Sequence, residues 1–183
     1  MHSSKYSLLN RNNSLLVIID MQERLLPFIG ENERVVENVI KLIKFSRIIR
    51  LPVVLTEQQK LGNTLLEIRE ELMDIQPIIK LEFNCFGSNE FAERLHRMNR
   101  NSLIIAGIEA HICVAQTALH ALSDYTVHVV SDAIGSRSPH NREVALSRMQ
   151  QQGVTITSTE MVIYELLGKA GTDSFKEVLE LVK

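Results

Sequence analysis

The sequence predicts an α/β fold of three layers, α-β-α, built on a mostly parallel, Rossmann-like sheet of six strands. Short runs rich in apolar and β-branched residues recur six times along the 183 residues. Stretches with helical spacing separate them, which is how parallel neighbours are connected. No repeat, low-complexity tract or Pro/Gly-rich linker divides the chain, so residues 1–183 are expected to form one domain, with 1–13 ("MHSSKYSLLNRNN") as a polar N-terminal arm.

The first run, "SLLVIID", closes at Asp20. A helix is expected over 31–50, where Val35, Val39, Leu42, Ile43 and Phe45 keep one side apolar and Glu33, Glu37, Lys41 and Lys44 the other. "PVVLT" to Thr56 and "PIIK" to Lys80 are the next two strands. Ser88, with Glu90 close behind, starts a helix over 88–99. "SLIIAGI" to Ile108 leads into a helix over 112–123, and "TVHVVSD" to Asp132 follows. Ser138 before Pro139 marks the start of a helix over 139–151. "VTITST" to Thr159 is the sixth strand, and 172–183, with Phe175, Val178, Leu179 and Val182, is a last amphipathic helix that packs on this domain or on a second subunit. Each strand run reads as buried on both faces.

A formal charge of -2 offers no general attraction to a phosphate backbone, so nucleic acid is not an expected partner. Two cysteines make no disulfide framework, the N-terminus lacks the apolar block of a signal peptide, and no apolar run is long enough to cross a bilayer. A cytoplasmic, reducing location without membrane contact is expected. The partner is a small-molecule substrate, and apolar faces on the first and last helices point to a homo-oligomer, a dimer or larger.

In open parallel sheets, sites gather beyond the carboxyl ends of the strands. Those ends supply Asp20, Lys80 and the segment 109–113. Cys113, in the first turn of a helix, faces free N–H groups and the positive end of the dipole, which favours its thiolate; Lys80 nearby lowers the thiol pKa further. Asp20 is then the base that accepts the thiol proton, and N–H groups around Glu109 and Cys113 hold an oxyanion. Taken alone, Cys113 between Ile and Val reads as core, and Asp20 reads equally as the cap of "MQERLLPF". Lys80 is different, because an ammonium ending a buried strand needs an anionic partner.

"VIIDMQERLLP", "PIIKLEFNCF" and "IIAGIEAHICVAQTALHAL" resemble, in that order and spacing, the isochorismatase-like cysteine hydrolases, from about Ser14 to the last helix. "TEQQKLGNT", "SDAIGSRSPHNREVALSRM" and "TSTEMVIYELLG" resemble the isochorismatase domain-containing subgroup. The resemblance implies an isochorismatase-like hydrolase fold, an Asp–Lys–Cys triad falling on Asp20, Lys80 and Cys113, and a cis peptide bond at Ile108–Glu109. Members acting on nicotinamide hold a metal through Asp and His after the second strand; "TEQQKLGNT" has no histidine, so nicotinamidase activity is not expected. Nor is a metal, since no histidines pair at ligand spacing, and the expected chemistry requires no organic cofactor. Isochorismatases that cleave a vinyl ether commonly lack the cysteine that is present here.

Gln22, Phe28, Phe83, Phe86 and His111 are candidate pocket residues, with core packing or loop positioning as the alternative for each. Cys85 reads as a buried small apolar residue. The expectation is a cysteine-dependent hydrolase of a small amide or related C–N compound acting through a thioester. The alternatives are a non-catalytic binding or scaffold member and an isochorismate-type vinyl ether hydrolase.

Overall fold

In the computed structural model, which describes residues 8–182, the first strand β1 (Ser14–Ile19) is buried on both faces, and its alternate side chains feed two separate cores. Leu16 and Ile18 face one, Leu15, Val17 and Ile19 the other, as the two-residue period of a strand requires. The elements that follow are α1 (Asn32–Ile49), β2 (Val53–Gln58), α2 (Leu66–Glu71), β3 (Ile78–Lys80), α3 (Asn89–Met98) and β4 (Ser102–Ile108). Then come α4 (Ala115–Ala121), β5 (Thr126–Gly135), α5 (Pro139–Gln151), β6 (Thr155–Thr157), α6 (Thr159–Leu167) and α7 (Asp173–Val182).

The strands form one sheet in the order β3-β2-β1-β4-β5-β6, and every neighbouring pair is parallel. Core residues of α1, α6 and α7 cover one face and those of α3, α4 and α5 the other, giving the three layers. The order in which strands are added reverses at the β1–β4 boundary, and the crevice beyond their carboxyl ends is where such folds bind ligands.

Sequence chemistry accounts for the boundaries. Ser88 accepts from Phe91 N, Ser138 from Asn141 N beside Pro139, and Ser158 from Met161 N, each answering an N–H that a helix start leaves unpaired. Gly107 (φ 134°) is obligatory, since a Cβ there would lie 2.1 Å from Ile19 O, where β4 passes β1.

Several expectations are corrected. The edge strands are not buried on both faces: Ile79 of β3 and Thr155 of β6 are exposed, because an edge has cover on one side only. The apolar faces of α1 and α7 pack together within the chain, with Val178 buried in the same core as Val39, so they are not free for a second subunit. Of the polar arm over 1–13, residues 1–7 lie outside the described residues. The rest is fastened: Leu9 is buried, its N–H donates to Glu165 Oε2 at 3.0 Å, and Asn13 O accepts from Asn101 N and Ser102 N.

Candidate active site

Three strand ends converge at the carboxyl edge of the sheet. Ile19 lies opposite Thr56 on β2 and Gly107 on β4, while Gln58 at the end of β2 lies opposite Lys80 on β3. Asp20 follows β1 in a left-handed conformation (φ 54°), which Asp tolerates better than most residues. Cys113 lies in a π-helical turn, Ala110–Val114, between β4 and α4. Such turns often mark functional sites.

These positions bring Asp20, Lys80 and Cys113 together. Lys80 Nζ is 2.7 Å from Asp20 Oδ2, with both side chains fully buried, and 3.8 Å from Cys113 Sγ. Thr56 Oγ1 donates to the other oxygen, Asp20 Oδ1, at 2.8 Å. The Asp20 charge acts on the Cys113 thiol as well. The anionic partner expected for Lys80 is therefore Asp20, and the ammonium touches both carboxylate and thiol.

The electrostatics correct the expectation of a low thiol pKa. Burial pushes the Cys113 thiol up, the Asp20 charge pushes it further, and Lys80 offsets only part of this. The reason is that Cys113 is only 5% exposed and the Lys80 charge is already taken up by Asp20. Burial is the largest single influence on the Lys80 ammonium and works against it, but the Asp20 charge and hydrogen bond together with the Cys85 and Cys113 sulfurs outweigh it, and the lysine pKa lies above its ordinary value. The resting site thus holds carboxylate, ammonium and neutral thiol. Cys85 is fully buried, and its thiol is pushed up to about 11, chiefly by burial. Its backbone N–H donates to Thr117 Oγ1, one helical turn beyond Cys113.

The Ile108–Glu109 peptide is trans, and no cis bond occurs among the described residues. The chain turns instead through Gly107 and through Glu109 in the left-handed region (φ 59°, ψ 58°).

The remaining candidates fall in different places. Gln22 is fully buried and spent on backbone: Nε2 donates to Gln58 O and Gly62 O, and Oε1 accepts from Gln58 N. It braces the loop after β2. His111 Nδ1 lies 3.0 Å from Ser136 Oγ and 3.4 Å from Glu109 Oε2, while Arg137 Nε donates to Glu109 Oε1 at 2.8 Å. Loop positioning is what these contacts do. Phe86 is half-buried, packing edge-on against Phe91 and stacking on His120 at the margin of the core that α3 and α4 cover. Phe28 and Phe83 are exposed. Among the described residues, no three His, Cys, Asp or Glu side chains are grouped to hold a metal ion.

Two residues of the cluster escape a reading of the sequence, Thr56 in its contact with Asp20 and Gln58. Gln58 Oε1 accepts from Lys80 Nζ at 2.8 Å, and Gln58 Nε2 donates to Leu81 O. The apolar run "PVVLT" stops at Thr56, but the strand continues through Glu57 and Gln58. Extending its two-residue period is the signal that places Gln58 on the same side as Thr56.

Residues 14–161 match the family model for the isochorismatase domain. Isochorismatase domain-containing protein 2 of Danio rerio is 36% identical over 177 residues, covering 95% of this chain and 89% of that one. The secreted isochorismatase effector Isc1 of Phytophthora sojae is 34% identical over 179 residues, covering 94% and 85%. Among solved structures, the MAR1 ribonuclease from Caenorhabditis elegans superposes with a TM-score of 0.90 at 33% identity over 96% of this chain and 92% of that one. YcaC from Pseudomonas aeruginosa, solved with hexane-2,5-diol and covalent acrylamide, gives 0.91 at 26% identity over 98% and 93%. A domain match along most of the chain, joined by relatives of this identity along nearly all of it, means that this protein belongs to the isochorismatase family.

Proposed function

We propose that the protein is a cysteine-dependent hydrolase of a small amide or related C–N compound. The observation that carries this reading is a single buried ammonium, Lys80, in contact with both the Asp20 carboxylate at 2.7 Å and the Cys113 sulfur at 3.8 Å. Asp20 takes the thiol proton and Cys113 Sγ attacks the carbonyl carbon. Lys80 moves its charge toward the new sulfur anion, and backbone N–H groups at Glu109 and Cys113 receive the oxyanion. Collapse expels the amine, which leaves with the proton held by Asp20, and a thioester remains. Water deprotonated by Asp20 then cleaves the thioester, releasing the acid and restoring the thiol. Because the resting thiol pKa is high, sulfur is activated within the substrate complex and not beforehand.

The covalent acrylamide in YcaC supports an amide-shaped electrophile as ligand for this fold. The test is a screen of small amides, ureas and carbamates for amine release. Turnover should fall roughly 10²–10⁴-fold in Asp20→Asn, the loss expected on removing a general base, and vanish in Cys113→Ser. Full turnover by Cys113→Ser overturns the sulfur mechanism.

A second reading, association without catalysis, draws on the burial of Cys113. It predicts no acyl transfer to Cys113 from any compound in the screen. The cytoplasm is the proposed location, whereas the Phytophthora relative is named as secreted. Recovery of the protein in the cytosolic fraction or in the medium decides between the two locations.

A further inference from the structure

Lys80 serves two partners that exchange their charge during the proposed reaction. At rest the anion is Asp20, at 2.7 Å; once the proton has crossed from Cys113 Sγ to the carboxylate, the anion is the sulfur, 3.8 Å away. The ammonium must follow that charge. Its remaining contact is Gln58 Oε1 at 2.8 Å, a neutral acceptor.

The orientation of the Gln58 amide is fixed by its surroundings. Nε2 faces Leu81 O, which can only accept, so Oε1 is the atom turned to Lys80. The Gln58 backbone is held in turn by both polar ends of Gln22. We propose that Gln58 is a positioning residue: it holds one Lys80 N–H throughout, keeping the ammonium where it can serve carboxylate and thiolate in turn without neutralising it. This rests on the Asp20–Lys80–Cys113 chemistry proposed above. A carboxylate at position 58 would give Lys80 a permanent counter-ion and leave the sulfur anion unsupported. An apolar side chain would leave one ammonium hydrogen unanswered in a buried site, and the ammonium would close on Asp20.

The test requires no substrate. Iodoacetamide labelling of Cys113, followed by peptide mass against pH, gives a midpoint for thiolate formation. Gln58→Glu, of nearly equal shape, should raise that midpoint by about one pH unit, so that labelling at a fixed pH below it slows roughly tenfold. Gln58→Met should raise it as well, and serves if Gln58→Glu does not fold. Thermal midpoints are recorded beside both. If Gln58 is only a brace for the loop, both variants melt earlier while the labelling midpoint stays at the wild-type value, and the proposal is overturned. An amide screen that finds no turnover counts against the hydrolase reading and leaves the labelling shift standing; an unmoved midpoint with turnover intact does the reverse.

Discussion

A buried ion pair loses the hydration of both charges, and what it gains depends on each partner staying in place. Asp20 and Lys80 are both fully buried, so removing one leaves the other charge stranded. Lys80→Met should therefore lower stability by about 3–5 kcal/mol, while Asp20→Asn with Lys80→Met should recover most of that loss, as read by urea denaturation. A double variant no more stable than Lys80→Met shows that the pair is not the source of the loss. The three residues were legible in the sequence because each ends or closely follows a buried run, where a charged or nucleophilic side chain is out of character. The state of the thiol was not. A cysteine at a helix start suggests an anion, but its pKa depends on how much water reaches the sulfur and on where the lysine charge is spent, and neither is local in sequence.

At the scale of elements, the β1–β4 seam sets the site. Gly107 brings β4 against Ile19, one residue before Asp20, and a methyl there would overlap the Ile19 carbonyl. Gly107→Ala should cost about 3 kcal/mol or more and displace Asp20 relative to Cys113, so the denaturant midpoint and Cys113 labelling should change together. Strand β5 carries a different liability. His128 is buried with no partner for Nε2 among the described residues, and burial lowers its pKa below the ordinary 6.5, an effect that Glu165 opposes only in part. A group whose folded pKa is depressed contributes stability that is present above its unfolded pKa and lost as pH falls through the folded value. The urea midpoint should accordingly fall as pH drops below 6.5, and His128→Gln should flatten that dependence; an equally steep fall in the variant would assign it elsewhere. The strands and the long helices were readable from periodicity. Helix α2 was not, since Ile68 is its one buried residue; α6 has Thr159, Val162, Ile163 and Leu166 buried at helical spacing, but the strand run read as far as Thr159 covers its first turn. The π-helical turn has no sequence period of its own, and the trans peptide before Glu109 departs from what family resemblance implied.

At the scale of the whole molecule, the number of strands and their parallel sense follow from the alternation of runs, but their order does not. Crossover connections leave any two parallel strands free to be neighbours, and only packing selects β3-β2-β1-β4-β5-β6. No helix among the described residues is long and apolar enough to cross a membrane. With the α1 and α7 faces packed within the chain, any self-association has to use other surface. Ile79, Leu81 and Phe83, on and just beyond edge strand β3, are large, apolar and exposed. Light scattering should give a particle of at least two chains, reduced in mass by Ile79→Lys with Phe83→Lys. A wild-type mass of one chain refutes association.

That same edge has a kinetic meaning. Strand β3 is held by three register positions to β2 alone, and it is the strand that delivers Lys80. Fraying there withdraws the ammonium while the centre of the sheet stays closed, so amide hydrogens of Ile78–Lys80 should exchange sooner than those of β1 or β4. The sulfur chemistry would then fade on warming through reversible local opening, well before the fold is lost.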